Sequence, residues 1–198
     1  MTTYVYLFFY GSVVNSHSRN FTLKTKTKGI PVLFNDINYK LSYNFNSSKS
    51  ASFTVLGLVK SKRKYTIPGI LVKVNKTQLE YIKRREKSYT FTPIEHSPEL
   101  MDSSIPFNTR LPIFTFTKDH IEHNHVHTNY YLDLTISGFL EYGDSFTRLF
   151  FKYCHGLPLH LNTLSKWKRD LKKRIIEYTS VLHYAKDDKL LSTLQSIL

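Results

Sequence analysis

An apolar strand near the start of the chain is broken by a glycine. Residues Leu7–Phe9 are followed by Tyr10, Gly11 and Ser12, a pattern typical of a buried β-strand that ends in a turn. Glycine has no Cβ, so the backbone at Gly11 can turn sharply and approach a ligand closely. The Ser12 hydroxyl and the N–H groups after the glycine can then point at an anion, as successive amides do in a backbone nest. The sequence therefore predicts an anion-binding turn here.

A second segment places a carboxylate beside two arginines. Residues Arg84–Glu86 end a predicted helix in which Leu79 and Ile82 share one face. An anion-binding turn and a carboxylate are the parts needed to bind a carboxylate-bearing substrate and to move its protons. The alternative interpretation of Glu86 is a solvated surface ion pair, which contributes little to stability.

Several segments, taken in order, resemble one known family. They are Tyr10–Val13, Val55–Val59, Pro68–Val74, Leu79–Tyr89, Tyr130–Leu134 and Ser137–Glu141. Together they are similar to the γ-glutamylcyclotransferase family: its YGSL loop, its two central strands, its helix ending in D-x-R-E-G-x-Y, and its SYLD…SGxLE helix. The resemblance covers roughly residues 4–155.

The resemblance implies a fold and an activity. The fold is α+β, a γ-glutamylcyclotransferase-like mixed β-barrel with short helices, which we expect over residues 1–160, with a basic helical extension over 161–198. The activity is release of 5-oxoproline from γ-glutamyl peptides or amines, without a cofactor or metal. Glu86 is implied as the catalytic acid/base, and the binding residues implied are Tyr10, Gly11, Ser12, Val13 and Tyr89.

The chain departs from the family pattern at three places. Val13 stands where the family has leucine, and Lys83 stands where an aspartate is frequent. Lys87 and Ser88 replace a pair of glycines after the glutamate. The turn that positions Glu86 must therefore be made without glycine.

Periodicity predicts strands first and helices last. The predicted strands are Val5–Phe9, Gly29–Leu33, Asn38–Tyr43, Ser52–Val59, Ile70–Val74, Phe91–Ile94 and Leu111–Thr117. The predicted helices are Thr77–Glu86 with Thr77 as its cap, Asn129–Leu140, Asp144–His155 with Asp144 as its cap, and Ser165–Ala185. The charged run Lys60–Lys64 indicates a hairpin tip.

Composition limits the possible surroundings. The formal net charge of +13 favours an anionic partner, although a compositional bias of the genome would produce the same excess of lysine. The one cysteine, Cys154, excludes an internal disulfide and lies in an apolar helix, where it is expected to be a core residue. No signal peptide and no transmembrane segment is recognisable. We expect a protein that is not secreted, in the cytoplasm or an organelle.

A histidine-rich stretch is a weaker candidate site. On a strand, His123, His125 and His127 would share one face and offer three imidazoles to Zn²⁺ or Cu²⁺. The default interpretation of this stretch is a solvated polar loop that titrates near neutral pH.

A basic helix suggests contact with RNA or a ribonucleoprotein. Its candidate phosphate-binding residues are Lys166, Lys168, Arg169, Lys172 and Lys173, and Trp167 would either stack on a base or begin the apolar stripe of the helix. Two function classes therefore remain. One is a cyclotransferase acting on a small γ-glutamyl substrate. The other is a non-catalytic relative recruited as a basic structural subunit of a large assembly, for example an organellar ribonucleoprotein.

Overall fold

A computed structural model describes residues 4–47, 50–119, 129–159 and 162–182. The strands are β1 (Tyr4–Phe9), β2 (Ile30–Ser47), β3 (Ser50–Asn75), β4 (Thr90–Pro93), β5 (Glu99–Leu100) and β6 (Ile113–Thr117). The helices are α1 (Ser16–Leu23), α2 (Lys76–Arg85), α3 (Asn129–Leu140), α4 (Asp144–Tyr153) and α5 (Leu164–Leu182), with a 3₁₀ turn at Ser12–Val14. The chain is thus α+β, with most of its strands before its longer helices.

All six described strands form one mixed sheet. Their order is β4-β6-β1-β3-β2-β5, and β1 and β6 run parallel while the other neighbouring pairs are antiparallel. The predicted closure into a β-barrel is wrong, because β4 and β5 remain the two edges of an open sheet. The edge strand β5 pairs with β2 but has only two residues, and no further strand pairs with it among the described residues.

The first strand lies at the centre of this sheet. It is paired with β3 on one side and with β6 on the other, and the side chains of Leu7 and Phe8 are fully buried. Apolar side chains on both faces explain why Leu7–Phe9 is a continuous apolar run and not an alternating one. The turn that follows β1 is therefore anchored to a buried strand that is paired on both sides.

Strands β2 and β3 form one long hairpin. The sequence predicts two strands in each, separated by polar or charged residues, but the ladder runs from Ile30 paired with Leu71 to Ser47 paired with Ser50. The charged run Lys60–Lys64 lies within β3, so its prediction as a hairpin tip is wrong. Ile37 pairs with Tyr65 and Tyr39 pairs with Lys60, so β3 has extra residues here. We call these extra residues, Ser61–Lys64, the β3 bulge.

Helix α2 begins one residue after Asn75, not at Thr77. The Asn75 side chain accepts a hydrogen bond from the Gln78 N–H at 3.0 Å, and the Gln78 side chain accepts one from the Asn75 N–H at 2.9 Å. This reciprocal pair is a capping box. The predicted cap at Thr77 is wrong because an amide pair two residues earlier already satisfies the first N–H groups. Similarly, the N-cap of α4 is Gly143 and not Asp144.

The C-terminal helix α5 is fastened to α3 by a buried polar cluster. Trp167 and Leu171 are fully buried, as the predicted apolar stripe requires. The Trp167 indole N–H donates to Asp133 Oδ1 at 2.6 Å. Arg174 donates to both carboxylate oxygens of Asp133 at 2.9 Å. The side chains of the later stripe residues lie outside the described part.

Cys154 ends α4 as a buried residue, and burial raises the pKa of its thiol. A neutral thiol is a poor nucleophile, so the expectation that Cys154 is a core residue is confirmed. In the part of the chain that the structure describes, no helix is long and apolar enough to cross a membrane.

Candidate functional site

The turn after β1 is built around a glycine against which a side chain of α3 packs closely. Tyr10 and Gly11 lead from β1 into the 3₁₀ turn, in which the Val14 N–H donates to the Gly11 carbonyl at 2.9 Å. A Cβ on Gly11 would lie 2.6 Å from the Tyr131 Oη atom, well inside van der Waals contact. Gly11 is therefore required for the close approach of α3 and not for a left-handed backbone, since its φ is −112°.

Helix α3 holds the same turn from behind. The Asn15 side-chain amide donates to Ser137 Oγ at 3.2 Å, and the Ser16 N–H donates to the Glu141 carboxylate at 2.9 Å. Between them, Gly138 packs directly against the Asn15 backbone, leaving no room for a Cβ. Three residues of the Ser137–Glu141 segment thus fix the position of the turn.

A buried arginine completes the support. Arg19, on α1, is buried and donates from Nη1 to the Val14 carbonyl at 2.6 Å and to the Val13 carbonyl at 3.4 Å. The Val13 side chain is buried in the hydrophobic core. Val13 is one of the predicted binding residues. Because its side chain is buried in the core, its backbone is the part that can contribute to binding.

Glu86 lies at the end of α2, where it caps the helix. Its N–H donates to the Ile82 carbonyl at 2.8 Å, and its carboxylate Oε1 accepts from Arg85 Nε at 3.1 Å. The Glu86 side chain is 21% exposed and that of Arg85 27% exposed. This carboxylate is accessible to a small molecule and is more shielded than a typical surface carboxylate.

Arg85 connects this carboxylate to the glycine turn. Its Nη2 donates to Ser12 Oγ at 2.9 Å, and its Nη1 donates to the hydroxyls of Thr22 and Ser18 on α1. The planar guanidinium has five N–H donors in a fixed fork. One side chain can therefore fix the distance between Glu86 and the turn.

The turn after Glu86 forms without glycine. The Tyr89 N–H donates to the Glu86 carbonyl at 2.9 Å. Among the described residues, the non-glycine residues with positive φ are Lys24 and Asp36, so Lys87 and Ser88 make this turn in ordinary backbone conformations. The departure from the family pattern at these two positions is accommodated without backbone strain.

Three neighbouring tyrosines, Tyr10, Tyr89 and Tyr131, lie close to Glu86. Tyr10 donates from its hydroxyl to the Phe116 carbonyl at 2.6 Å, and its pKa is raised by burial, then by the neighbouring Tyr89 and Glu86. Burial also raises the pKa of Tyr131 to about 12, with Glu86 adding to the shift and the backbone of Leu56 and Ser12 opposing it. Both phenols therefore stay protonated at neutral pH.

Tyr89 directly precedes β4 and is a neighbour of Tyr10. Its hydroxyl donates to the Leu56 carbonyl at 3.4 Å, and the Lys118 ammonium lies 4.8 Å from its ring centroid. The structure thus brings together Tyr10, Gly11, Ser12, Glu86 and Tyr89.

Two members of this cluster were not predicted from the sequence. The sequence pattern indicates Arg85 only as a neighbour of Glu86 in a surface ion pair, and the hydrogen bonds of Arg85 to Ser12 and α1 cannot be inferred from a local pattern. The sequence does point to the region of Tyr131, since Tyr130–Leu134 is one of the segments that resemble the family, but this resemblance predicts no role for Tyr131 itself. The proximity of Tyr131 to Gly11 depends on packing between segments about 120 residues apart in the chain.

The other candidate sites are less well supported. His123, His125 and His127 lie outside the described residues. Within the described residues, no group of three or more histidine, cysteine or carboxylate side chains could hold a metal ion. Lys168 forms an ion pair with Asp144 at 3.0 Å, and Arg169 forms one with Asp170 at 3.5 Å.

The remaining cations of α5 differ in their surroundings. Lys166 donates to the Leu159 carbonyl and to the Asn162 side chain. Lys173 is exposed, and the side chain of Lys172 lies outside the described part.

Comparison with solved structures identifies the fold. A γ-glutamyl cyclotransferase superimposes with a TM-score of 0.58 at 12% identity, over 86% of this chain and 99% of its own. An uncharacterised human protein superimposes with a TM-score of 0.53 at 16% identity, over 80% of this chain and 84% of its own. The chain has a γ-glutamyl-cyclotransferase-like fold.

A third similar structure is matched over a smaller share of its length. It is a solution structure of an Arabidopsis thaliana protein, with a TM-score of 0.44 at 15% identity; the match spans 58% of this chain and 62% of that one. No protein-family model and no curated protein matches the sequence. The similarity is therefore one of fold, and the function has to be argued from the site.

Proposed function

We propose that this protein is a γ-glutamyl cyclotransferase. The observation that carries the proposal is the position of Glu86, whose carboxylate is connected by Arg85 to the Ser12 hydroxyl of the glycine turn. A carboxylate and an anion-binding turn are thereby held side by side, in a fold shared with a γ-glutamyl cyclotransferase over 99% of that protein's chain.

Glu86 supplies the proton transfers. The α-amine of a γ-glutamyl compound is an ammonium at neutral pH and must lose a proton before it can attack. The Glu86 carboxylate takes that proton, and the amine nitrogen then forms a bond to its own γ-carbonyl carbon. The bond from that carbon to the departing nitrogen breaks as the proton on Glu86 passes to this nitrogen. The newly bonded ring nitrogen then loses its second proton, which Glu86 passes to the released amine. The products are 5-oxoproline and a free amine or amino acid.

The turn and Arg85 supply positive potential. The Arg85 guanidinium contacts both the Glu86 carboxylate and Ser12, where the 3₁₀ turn begins. The groups proposed to bind the negative charge of the substrate are this guanidinium and backbone N–H groups of the turn. In this proposal they hold the substrate α-carboxylate or the oxyanion that develops on the γ-carbonyl. Holding the glutamyl group folded contributes further, because ring closure is intramolecular.

The phenols act as neutral hydrogen-bonding groups. Because burial raises the pKa of Tyr10 and Tyr131, neither adds negative charge beside Glu86 at neutral pH. A protonated Tyr131 hydroxyl at the Gly11 backbone can donate to a bound substrate. No step of this mechanism requires a metal or an organic cofactor.

The test is release of 5-oxoproline, with two matched glutamate variants. Glutathione, γ-glutamyl dipeptides and γ-glutamyl amines are assayed with the wild type, Glu86→Gln and Glu80→Gln. Glu80 lies on the same helix, is half exposed and pairs only with Lys83 at 3.5 Å among the described residues. We expect Glu86→Gln to lose at least about 100-fold in rate, whereas Glu80→Gln keeps wild-type activity. Equal activity of the wild type and Glu86→Gln would contradict the proposed role of Glu86.

The second function, a basic structural subunit, is favoured by one observation. Among the described residues, no carboxylate forms an ion pair with Lys40, Lys60, Lys62 or Arg63, the cations in or beside the β3 bulge. If folded wild-type protein releases no 5-oxoproline from any substrate, sedimentation of the native protein decides this alternative. A subunit of a large particle would sediment with that particle, and a free enzyme would sediment alone.

A further inference from the structure

Three cations of α5 are ion-paired within the protein. Lys168 pairs with Asp144, Arg169 pairs with Asp170, and Arg174 is buried against Asp133. An ion-paired cation must give up its partner before it can bind a phosphate. The sequence places the nucleic-acid contact on this helix, and these pairs argue against it.

A different basic surface lies on the β2–β3 hairpin. It is a groove of about 590 Å³ lined by Lys40, Val59, Lys60, Ser61, Lys62, Arg63 and Tyr65. Four of these seven residues are cations and none is acidic. Among the described residues, none of the four cations forms an ion pair. We call this surface the hairpin groove.

The β3 bulge creates the groove. Between the Ile37–Tyr65 and Tyr39–Lys60 pairs, β2 advances by two residues and β3 by five. The extra residues leave the regular ladder, as in a bulge that re-aims side chains. Lys62 and Arg63 are exposed on this protruding segment, and Lys40 approaches the groove from β2. The concave shape therefore results from the register of the hairpin, which also concentrates the cations in one place.

Two rings lie at the margin of the groove. The Tyr65 and His155 rings are in edge-to-face contact with centroids 5.3 Å apart. The pKa of His155 is lowered by partial burial and by the positive charge of Lys40. The pKa of His155 is therefore sensitive to the charge at this surface.

We infer that the hairpin groove binds the phosphate backbone of a single-stranded nucleic acid. Four cations that form no ion pair among the described residues line this one surface, and they match the repeated negative charges of an extended chain of phosphates. A concave surface of one sign also concentrates the field more than a flat surface does. The partly exposed Tyr65 ring offers a surface on which a base can stack.

The test compares two quadruple variants that remove equal charge. The first, Lys40→Ala, Lys60→Ala, Lys62→Ala and Arg63→Ala, removes the cations of the hairpin groove. The second, Lys166→Ala, Lys168→Ala, Arg169→Ala and Lys173→Ala, removes four cations of α5. Binding to labelled 20-nucleotide oligouridine, single-stranded DNA of the same length and duplex DNA is measured by fluorescence anisotropy from low to high salt.

We expect the groove variant to bind both single strands at least about tenfold more weakly at low salt, and the α5 variant to bind them as the wild type does. The plot of log affinity against log salt should become shallower by about 3 for the groove variant, because single strands contribute about 0.7 for each phosphate contact. A third variant, in which the three groove lysines become arginine, should retain binding and shows that charge is the property tested.

Other outcomes would overturn the inference. An equal loss in both alanine variants would mean that net charge alone drives binding. Preference for duplex, or groove-dependent binding to vesicles containing phosphatidylserine without binding to RNA or DNA, would assign the surface to another partner. An independent reading comes from the His155 ring in NMR titrations. Bound phosphates offset the charge of Lys40, so saturation with oligouridine should raise the His155 pKa, and an unchanged pKa would contradict contact at this surface.

Discussion

At the scale of single residues, the candidate site depends on Gly11 having no side chain. Its backbone dihedral angles are open to other residues, but a Cβ would lie 2.6 Å from the Tyr131 hydroxyl oxygen. Replacing Gly11 therefore creates a steric conflict with one identifiable atom. This makes the closeness of the turn and α3 testable without any assay of function.

We expect Gly11→Ala to destabilise the protein by about 1–3 kcal/mol through overpacking. In the double variant Gly11→Ala with Tyr131→Phe, the conflicting hydroxyl is absent, so the loss should be smaller than the sum of the two single losses. Urea unfolding of the wild type, both single variants and the double variant gives the coupling. Strictly additive losses would mean that the Gly11 backbone and the Tyr131 hydroxyl are not in contact.

At the scale of secondary-structure elements, the N-terminus of α2 shows where local patterns mislead. Thr77 and Glu80 have the spacing of a capping box, but Asn75 and Gln78 make the reciprocal hydrogen bonds. Both assignments are consistent with the sequence, and the structure selects the earlier one, where β3 ends. The position of α2 matters because Glu86 lies at its other end.

Removal of the true cap should therefore cost more than removal of the apparent one. We expect Asn75→Ala to lower the free energy of unfolding by about 1 kcal/mol, because the Gln78 N–H loses the side-chain oxygen that accepts its hydrogen bond. The exposed Thr77→Ala should change it by less than about 0.5 kcal/mol. Chemical denaturation of the two variants distinguishes them, and a larger loss in Thr77→Ala would return the cap to the position predicted from the sequence.

Local and distant interactions also explain what the sequence could predict. The apolar run of β1, the turn at Gly11 and the helix ending at Glu86 are local patterns, and the structure contains all three. The bridge from Arg85 to Ser12 and the contact of Tyr131 with Gly11 join segments far apart in the chain. The open sheet could not be predicted either, since pairing of the two edge strands is a property of the whole sheet and not of any one strand.

At the scale of the whole molecule, the C-terminal helix is connected to the candidate site. Asp133 binds Trp167 and Arg174 of α5, and it lies on the same helix as Tyr131 and the residues that hold the glycine turn. The side chain of Asp133 is fully buried and that of Arg174 is 5% exposed. This pair crosses the boundary that the sequence predicts between a catalytic domain and an extension, and that boundary stays a prediction.

A buried ion pair is costly to break from one side. Arg174→Met removes two hydrogen bonds and the positive charge from beside the buried Asp133 carboxylate, and we expect a loss of about 3–5 kcal/mol. In the double variant Asp133→Asn with Arg174→Met the charge is removed while the Asn oxygen still accepts from Trp167. It should therefore be more stable than Arg174→Met alone. The exposed pair of Lys168 and Asp144 is the control, since Lys168→Met should cost no more than about 1 kcal/mol. If urea unfolding finds Arg174→Met no less stable than Lys168→Met, α5 is not anchored through Asp133. That result would contradict the connection of α5 to the glycine turn through α3.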